Sequence, residues 1–355
     1  MAARLCIDAG FNKLEEDPKD PELNLKKSCF WFTYSLDKSF SLSFGRAPTI
    51  SDFDIATEYP IFPKTPFSDL IFVWLDIGKI QSRAYQKLYS ARGKLRSSES
   101  KEHNARTLIS QLQILRERCQ VSFAEMDDHE LEMLLPTDFS ILSIMTFIYH
   151  ALPQSRPSHP FQFSNECIVT AREALQAHLD VCTKFFQKPL NVIRTYVNYT
   201  LAFSPFTPFI VVLGTAISKA SSEDVALLTQ VVNSLETASA RAHGAKKLYN
   251  ICKILLQGAK TCIDQAVGNT SILRGGDASI KQRHTSHNED TSSRDDNGSL
   301  PQLSRTDLAY QPLPSDYWHT QLNSSDDMMM LFDSYLAGNP SMMQLFETEL
   351  SQFEG

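Results

Sequence analysis

The side chains able to do chemistry in this sequence are scattered. Cysteines stand at 6, 29, 119, 167, 182, 252 and 262 and form no C-x-x-C pair. A structural zinc site takes four ligands, usually from closely spaced Cys or His pairs, and this spacing supplies none. The odd count argues for reduced thiols on apolar faces and against a disulfide framework. "HELEM" at His129 opens like a zinc-protease helix but lacks its second histidine. His150, His159 and His178 are too dispersed for a ligand set and read as ordinary surface or core histidines. His284 and His287, in "RHTSHNED", sit in a polar, solvated stretch where metal binding is the weaker reading. No G-x-G-x-x-G, P-loop or G-x-S-x-G string occurs. No catalytic residue, cofactor site or metal site is assigned, and a protein that is not an enzyme is expected.

One acid and one base need separate treatment. In "LKKSCFWFTYSLDKSFSLSFGRAPTISDFDI", Leu25 to Ile55, Asp37 and Arg46 are the charges expected to be drawn inside with an apolar helix. Together they could suggest catalysis. A structural ion pair is the better reading, since an unpaired buried charge is very costly.

The elements around these residues are helices. Leu25, Cys29, Phe32, Leu36 and Phe40 share one face of residues 23–44, with Phe30, Trp31 and Tyr34 on others. A helix apolar nearly all round belongs in a core. Gly45 ends it where a left-handed residue sits, and Pro48 prevents its resumption. Further helices are predicted over 3–14, 67–92, 103–120, 137–152 and 222–233. Ile168, Ala171, Leu175, Leu179, Cys182 and Phe186 mark another by their steps of three and four. The stripe Leu235, Ala238, Ala242, Ala245, Tyr249, Cys252, Leu256, Ala259 and Ile263 fits a coiled-coil dimer seam or a long core helix. Its three alanines favour the core helix.

"NYTLAFSPFTPFIVVLGTAISK" contains a long uncharged run, yet Pro205 and Pro208 interrupt any bilayer-length helix. Only Phe209 to Ser218 remains helical, a buried core segment. No signal-peptide pattern opens the chain.

Charge is unevenly distributed. The chain has a net charge of −7, and after Arg305 it carries eight acids and no base, so the body is near neutral at +1. Nucleic-acid binding normally needs clustered Lys and Arg, so no direct DNA contact is expected. Residues 269–325 are too polar to bury enough apolar surface and are expected to be a disordered linker. Residues 326–355 interleave acids with Met, Leu, Phe and Tyr. Met343, Phe346, Leu350 and Phe353 share a helical face there, suited either to an activation segment or to docking back on the core.

The Leu25–Ile55 string resembles the signature of the fungal-specific transcription factor domain, or middle homology region. That domain occurs in regulators with a zinc binuclear cluster. Lys26, Lys27, Phe30, Trp31, Tyr34, Leu36, Asp37, Lys38, Ser41, Leu42, Gly45, Arg46, Asp52 and Asp54 carry the resemblance. Ala47 stands where the pattern usually has its first proline. "MAARLCIDAGFNK", "IYHALPQSRP", "CIVTAREAL" and the uncharged run resemble other segments of the domain, and "GNPSMMQLF" resembles the tails of such proteins. The resemblance implies an all-α regulatory domain over 1–268, N-terminally truncated, because the six-cysteine DNA-reading cluster should lie upstream. A truncated gene, a misassigned start and a protein that works without its own DNA contact all fit. It further implies a nuclear transcription regulator of metabolic or secondary-metabolite genes. Expected partners are transcriptional co-regulators or a full-length family member, with a homodimer possible and no membrane. The rivals are a DNA-binding-deficient partner that titrates co-regulators, and a helical ligand-binding protein or enzyme.

Overall fold

The computed structural model describes residues 1–122, 128–152, 162–201, 204–242 and 245–275. Among them the regular structure is all helical. In chain order the α-helices are α1 (Ala2–Asp8), α2 (Leu23–Phe44), α3 (Pro66–Ala84), α4 (Ala91–Lys94), α5 (Ser98–Ser122) and α6 (Asp128–His150). They continue as α7 (Asn165–Phe185), α8 (Leu190–Thr195), α9 (Thr207–Lys219), α10 (Ser222–Ser239) and α11 (Ala245–Gly275).

Most boundaries have a local cause. The helix predicted over 3–14 stops at Asp8, because Gly10 takes φ 75° and the chain turns into a short 3-10 helix at Phe11–Lys13. α2 runs Leu23–Phe44 as expected, and Gly45 closes it in the left-handed conformation, φ 63°. The Thr65 hydroxyl caps α3 by accepting the Ser68 amide, while Ser68 Oγ accepts the Thr65 amide in return. The helix predicted over 67–92 continues from α3 into a π turn, Tyr85–Tyr89, before Ser90 ends it. Ser164 and Ser221 cap α7 and α10 by accepting the amides of Cys167 and Asp224.

α9 lies at the centre. Ten of its residues, Thr207 to Ala216, are buried, and it packs against α6, α7, α10 and α11. A helix apolar all round can be accommodated only there. Each fully buried Val, Leu, Ile or Phe contributes about 1.5–3 kcal/mol of transfer free energy. No helix among the described residues is long and apolar enough to cross a membrane.

The stripe from Leu235 to Ile263 is divided between α10 and α11, which pack on each other. Leu235, Ala238, Ala242, Ala245, Cys252, Leu256 and Ala259 all enter the main core, with Tyr249 and Ile263 packed against it. This is the core-helix reading. α11 runs on to Gly275, past the boundary expected at residue 268. The rest of the expected linker and the expected tail, with Met343, Phe346, Leu350 and Phe353, lie outside the described residues, as does His159.

Beside the main core sits a smaller one, built by α1, α2, the segment after α2 and α3. It buries Cys6, Phe30, Trp31, Tyr34, Ile50 and Leu75.

Candidate functional site

The smaller core contains the segment singled out in the sequence. Phe30 is fully buried, and Trp31 packs edge-on against Phe30 and Tyr34 with ring centroids 5.4 and 5.2 Å apart. Trp31 Nε1 donates to the Glu58 carbonyl at 2.9 Å, and the Tyr59 ring lies 4.5 Å away. The Lys79 ammonium sits over both the Trp31 and Tyr59 rings.

α2 is not buried all round, although its apolar circumference leads one to expect it. Leu25 is 70% and Phe32 55% exposed, and Cys29 is exposed too. The face that packs inward carries Lys27, Phe30, Trp31, Tyr34, Lys38, Ser41 and Leu42. Two of these are lysines. Lys27 enters because its ammonium pairs with Glu16.

Lys38 is the centre of a polar lock. It is completely buried, yet its Nζ donates to the Ile50 carbonyl, lies 3.1 Å from Asp52 Oδ1 and rests 4.8 Å above the Tyr34 ring. Asp52 accepts from Tyr34 Oη at 3.1 Å, Ser82 Oγ at 2.6 Å and Gln86 Nε2 at 3.3 Å. Burial pushes the Asp52 carboxyl up, but the Ser82 hydroxyl, the Lys38 ammonium and the Tyr34 phenol outweigh it and hold it below its ordinary value. Burial is also the main reason that the Tyr34 phenol is pushed up. α2, the segment after it and α3 are thereby tied at one carboxylate.

Asp37 braces the same segment. Its two oxygens accept the Thr49 and Ile50 amides, each at 3.0 Å, and its side chain is only 9% exposed. Arg46 is exposed. The base drawn inside beside Asp37 is Lys38 rather than Arg46. The Arg46 backbone takes part in the turn: its amide donates to the Ser41 carbonyl, and its carbonyl accepts Ser41 Oγ. Together with Gly45 this fixes the reversal of the chain after α2. Lys38 and Asp52 both stand in the quoted string. Their pairing across the turn has no local signature, because α2 ends at Gly45 and helical periodicity does not relate positions on either side of it.

Lys38, Asp52, Tyr34 and Ser82 are residue types that could serve an acid–base site. Here each donor already points at a protein acceptor, so the geometry describes a clamp. A second buried polar group lies in the main core. His178 bonds Tyr196 Oη at 2.7 Å through Nδ1 and Ser234 Oγ at 2.9 Å through Nε2. Burial depresses its imidazole to about 4. It is a satisfied core histidine joining α7, α10 and the π turn Tyr196–Leu201. A surface groove of about 450 Å³ runs between residues 13–16 and 53–58. Lys13 on its wall is paired with Asp54 at 2.8 Å. Among the described residues no cluster of three or more His, Cys, Asp or Glu could hold a metal ion.

An all-helical module whose distinctive segment is a structural clamp is the class of protein that fold and site define. Residues 1–154 match the fungal specific transcription factor domain. An uncharacterised transcriptional regulatory protein of Schizosaccharomyces pombe is 27% identical over 242 residues, which cover 59% of this chain and 38% of the relative. The ABC-transporter-regulating transcription factor of Aspergillus fumigatus is 24% identical over 283 residues, 69% of this chain and 31% of the relative. Its namesake in Aspergillus oryzae is 23% identical over the same length and shares. The chain thus spans about a third of the length of these relatives. No solved structure matches it.

Proposed function

We propose that this chain is the regulatory and activating part of a fungal transcription regulator, acting in the nucleus through contacts with other proteins. The observation that carries the reading is the segment 25–55. It has the composition of the family signature and falls within the matched domain. Its residues clamp a helical scaffold together, and each donor of the clamp is spent inside the protein. The near-neutral body supports a module that does not grip DNA by itself. Two relatives are named for control of ABC transporters, which favours metabolic or transport genes as targets.

The acidic tail supplies the activating surface in this proposal. Met343, Phe346, Leu350 and Phe353 would enter a co-regulator groove as one helical face. Residues 326–355 fused to a heterologous DNA-binding domain should activate a reporter, and Phe346→Ala with Leu350→Ala should remove most of that activity. An inert fusion, with the same double variant destabilising the full chain, would instead mean that the tail docks on its own core.

A further inference from the structure

Cys6 and Cys29 stand beside one another on different helices. Cys6 faces inward from α1, 6% exposed, with Sγ 3.7 Å from Thr33 Oγ1. Cys29 lies one turn before Thr33 on α2, and residues four apart on a helix are surface neighbours. Cys29 adds to the rise of the Cys6 thiol, behind burial. Cys29 is open to solvent. α1 packs on α2, and a thiol on each helix beside the same Thr33 is the arrangement from which a disulfide can form.

The core cysteines are poor competitors. Thiolates, not thiols, react with oxidants. Burial pushes Cys119 up to about 11, and Cys167 and Cys182 up to about 12. Cys252 is wholly buried and is pushed up as well.

We infer that Cys6 and Cys29 are a redox modification site, forming a reversible intrachain disulfide when the protein meets a peroxide. The Cys29 thiolate attacks one peroxide oxygen and breaks the O–O bond. It becomes a sulfenic acid and releases hydroxide, which takes a proton to give water. The Cys6 thiolate then attacks the Cys29 sulfur and displaces hydroxide, which leaves as a second water. Two thiols lose two electrons and two protons, and hydrogen peroxide is reduced to two waters. The bond closes residues 7–28 into a loop and fixes α1 on α2 over the core that holds Phe30 and Trp31. Burial pushes the Cys6 thiol up, so the second step is the slow one.

The test treats the purified full chain with hydrogen peroxide and maps it by trypsin digestion and mass spectrometry without reduction. Segments Leu5–Lys13 and Ser28–Lys38 should appear as one joined species that dithiothreitol separates. The melting temperature of the oxidised chain should rise by about 5–10 °C, the range for a staple of this loop length. Cys29→Ser, at an exposed position, should abolish both the joined species and the rise. Cys6→Ser should leave a Cys29 sulfenic acid that dimedone captures. Three results would overturn the inference: Cys29 oxidised to sulfinic acid with Cys6 still free, Cys29 joined to a second chain, or a cross-linked chain that melts no higher. If Cys6→Ser does not fold, the Cys29→Ser arm decides alone.

Discussion

Replacing Asp52 by alanine takes from a buried ammonium the nearer of its two carboxylates. Lys38 is 0% exposed, and its remaining partners would be the Ile50 carbonyl, the Tyr34 ring face and Asp37 Oδ2 at 3.9 Å. Tyr34 and Ser82 would lose their acceptor as well. Breaking a buried pair from one side costs about 3–5 kcal/mol. Asp52 is one-third exposed, so the lower end, about 3 kcal/mol, applies. That corresponds to roughly 6–12 °C in melting temperature for a domain of this size. Lys38→Met should cost less, since it keeps the apolar stem and leaves Asp52 three neutral donors. The decisive variant is the double one. Lys38→Met with Asp52→Ala should be more stable than Asp52→Ala alone, because it removes a buried ammonium left with only the more distant Asp37 carboxylate. Urea unfolding followed by circular dichroism measures all four proteins. The pH dependence follows the same logic. A carboxyl held below its usual value stabilises the fold above about pH 4 and loses that contribution as pH falls through its folded value. The parent should therefore lose stability below about pH 4 more steeply than Asp52→Ala does. If Asp52→Ala unfolds with the parent, or if the two substitutions simply add, the clamp reasoning is refuted.

Three further outcomes follow from the packing. Phe30→Ala should cost about 3–5 kcal/mol and Phe32→Ala less than about 0.5, since the first is buried and the second exposed; comparable losses in urea unfolding would contradict the orientation of α2. His178, depressed to about 4 from its ordinary 6.5, binds its proton more readily when unfolded, so stability is full above pH 6.5 and falls toward pH 4 by about 3 kcal/mol. Urea midpoints across that range should show the slope, and His178→Asn should remove its own share of it, leaving that of His150, which burial also depresses to about 4. Gly45→Ala, at φ 63°, should cost about 1 kcal/mol in the same assay through backbone strain alone.

The helices were legible where apolar spacing and punctuation agreed. α2 ends at Gly45 and α9 starts beside Pro208, because both residues act locally. Which face of α2 is buried was not legible, since a helix apolar nearly all round gives no direction. The choice is made by Lys38, whose partners Ile50 and Asp52 lie beyond the turn, and by Lys27 with Glu16. Such pairs depend on how the chain folds back, and no local periodicity encodes them. The sequence marks Asp37 as a structural acid, and its hydrogen bonds are structural, but they go to the amides of Thr49 and Ile50. The division of the Leu235–Ile263 stripe into α10 and α11 has no mark in the spacing either, because small residues such as Ala238 and Ala242 sustain the rhythm through the break.

The central claim is regulatory action through protein contacts, and tethering tests it most directly. The full chain, fused to a heterologous DNA-binding domain in a fungal host, should raise expression of a reporter carrying that domain's site at least several-fold. Phe346→Ala with Leu350→Ala should return expression close to the level of the DNA-binding domain alone, without changing the amount of fusion protein. A full-chain fusion that is nuclear, folded and abundant, yet leaves the reporter at that background level, would contradict the account.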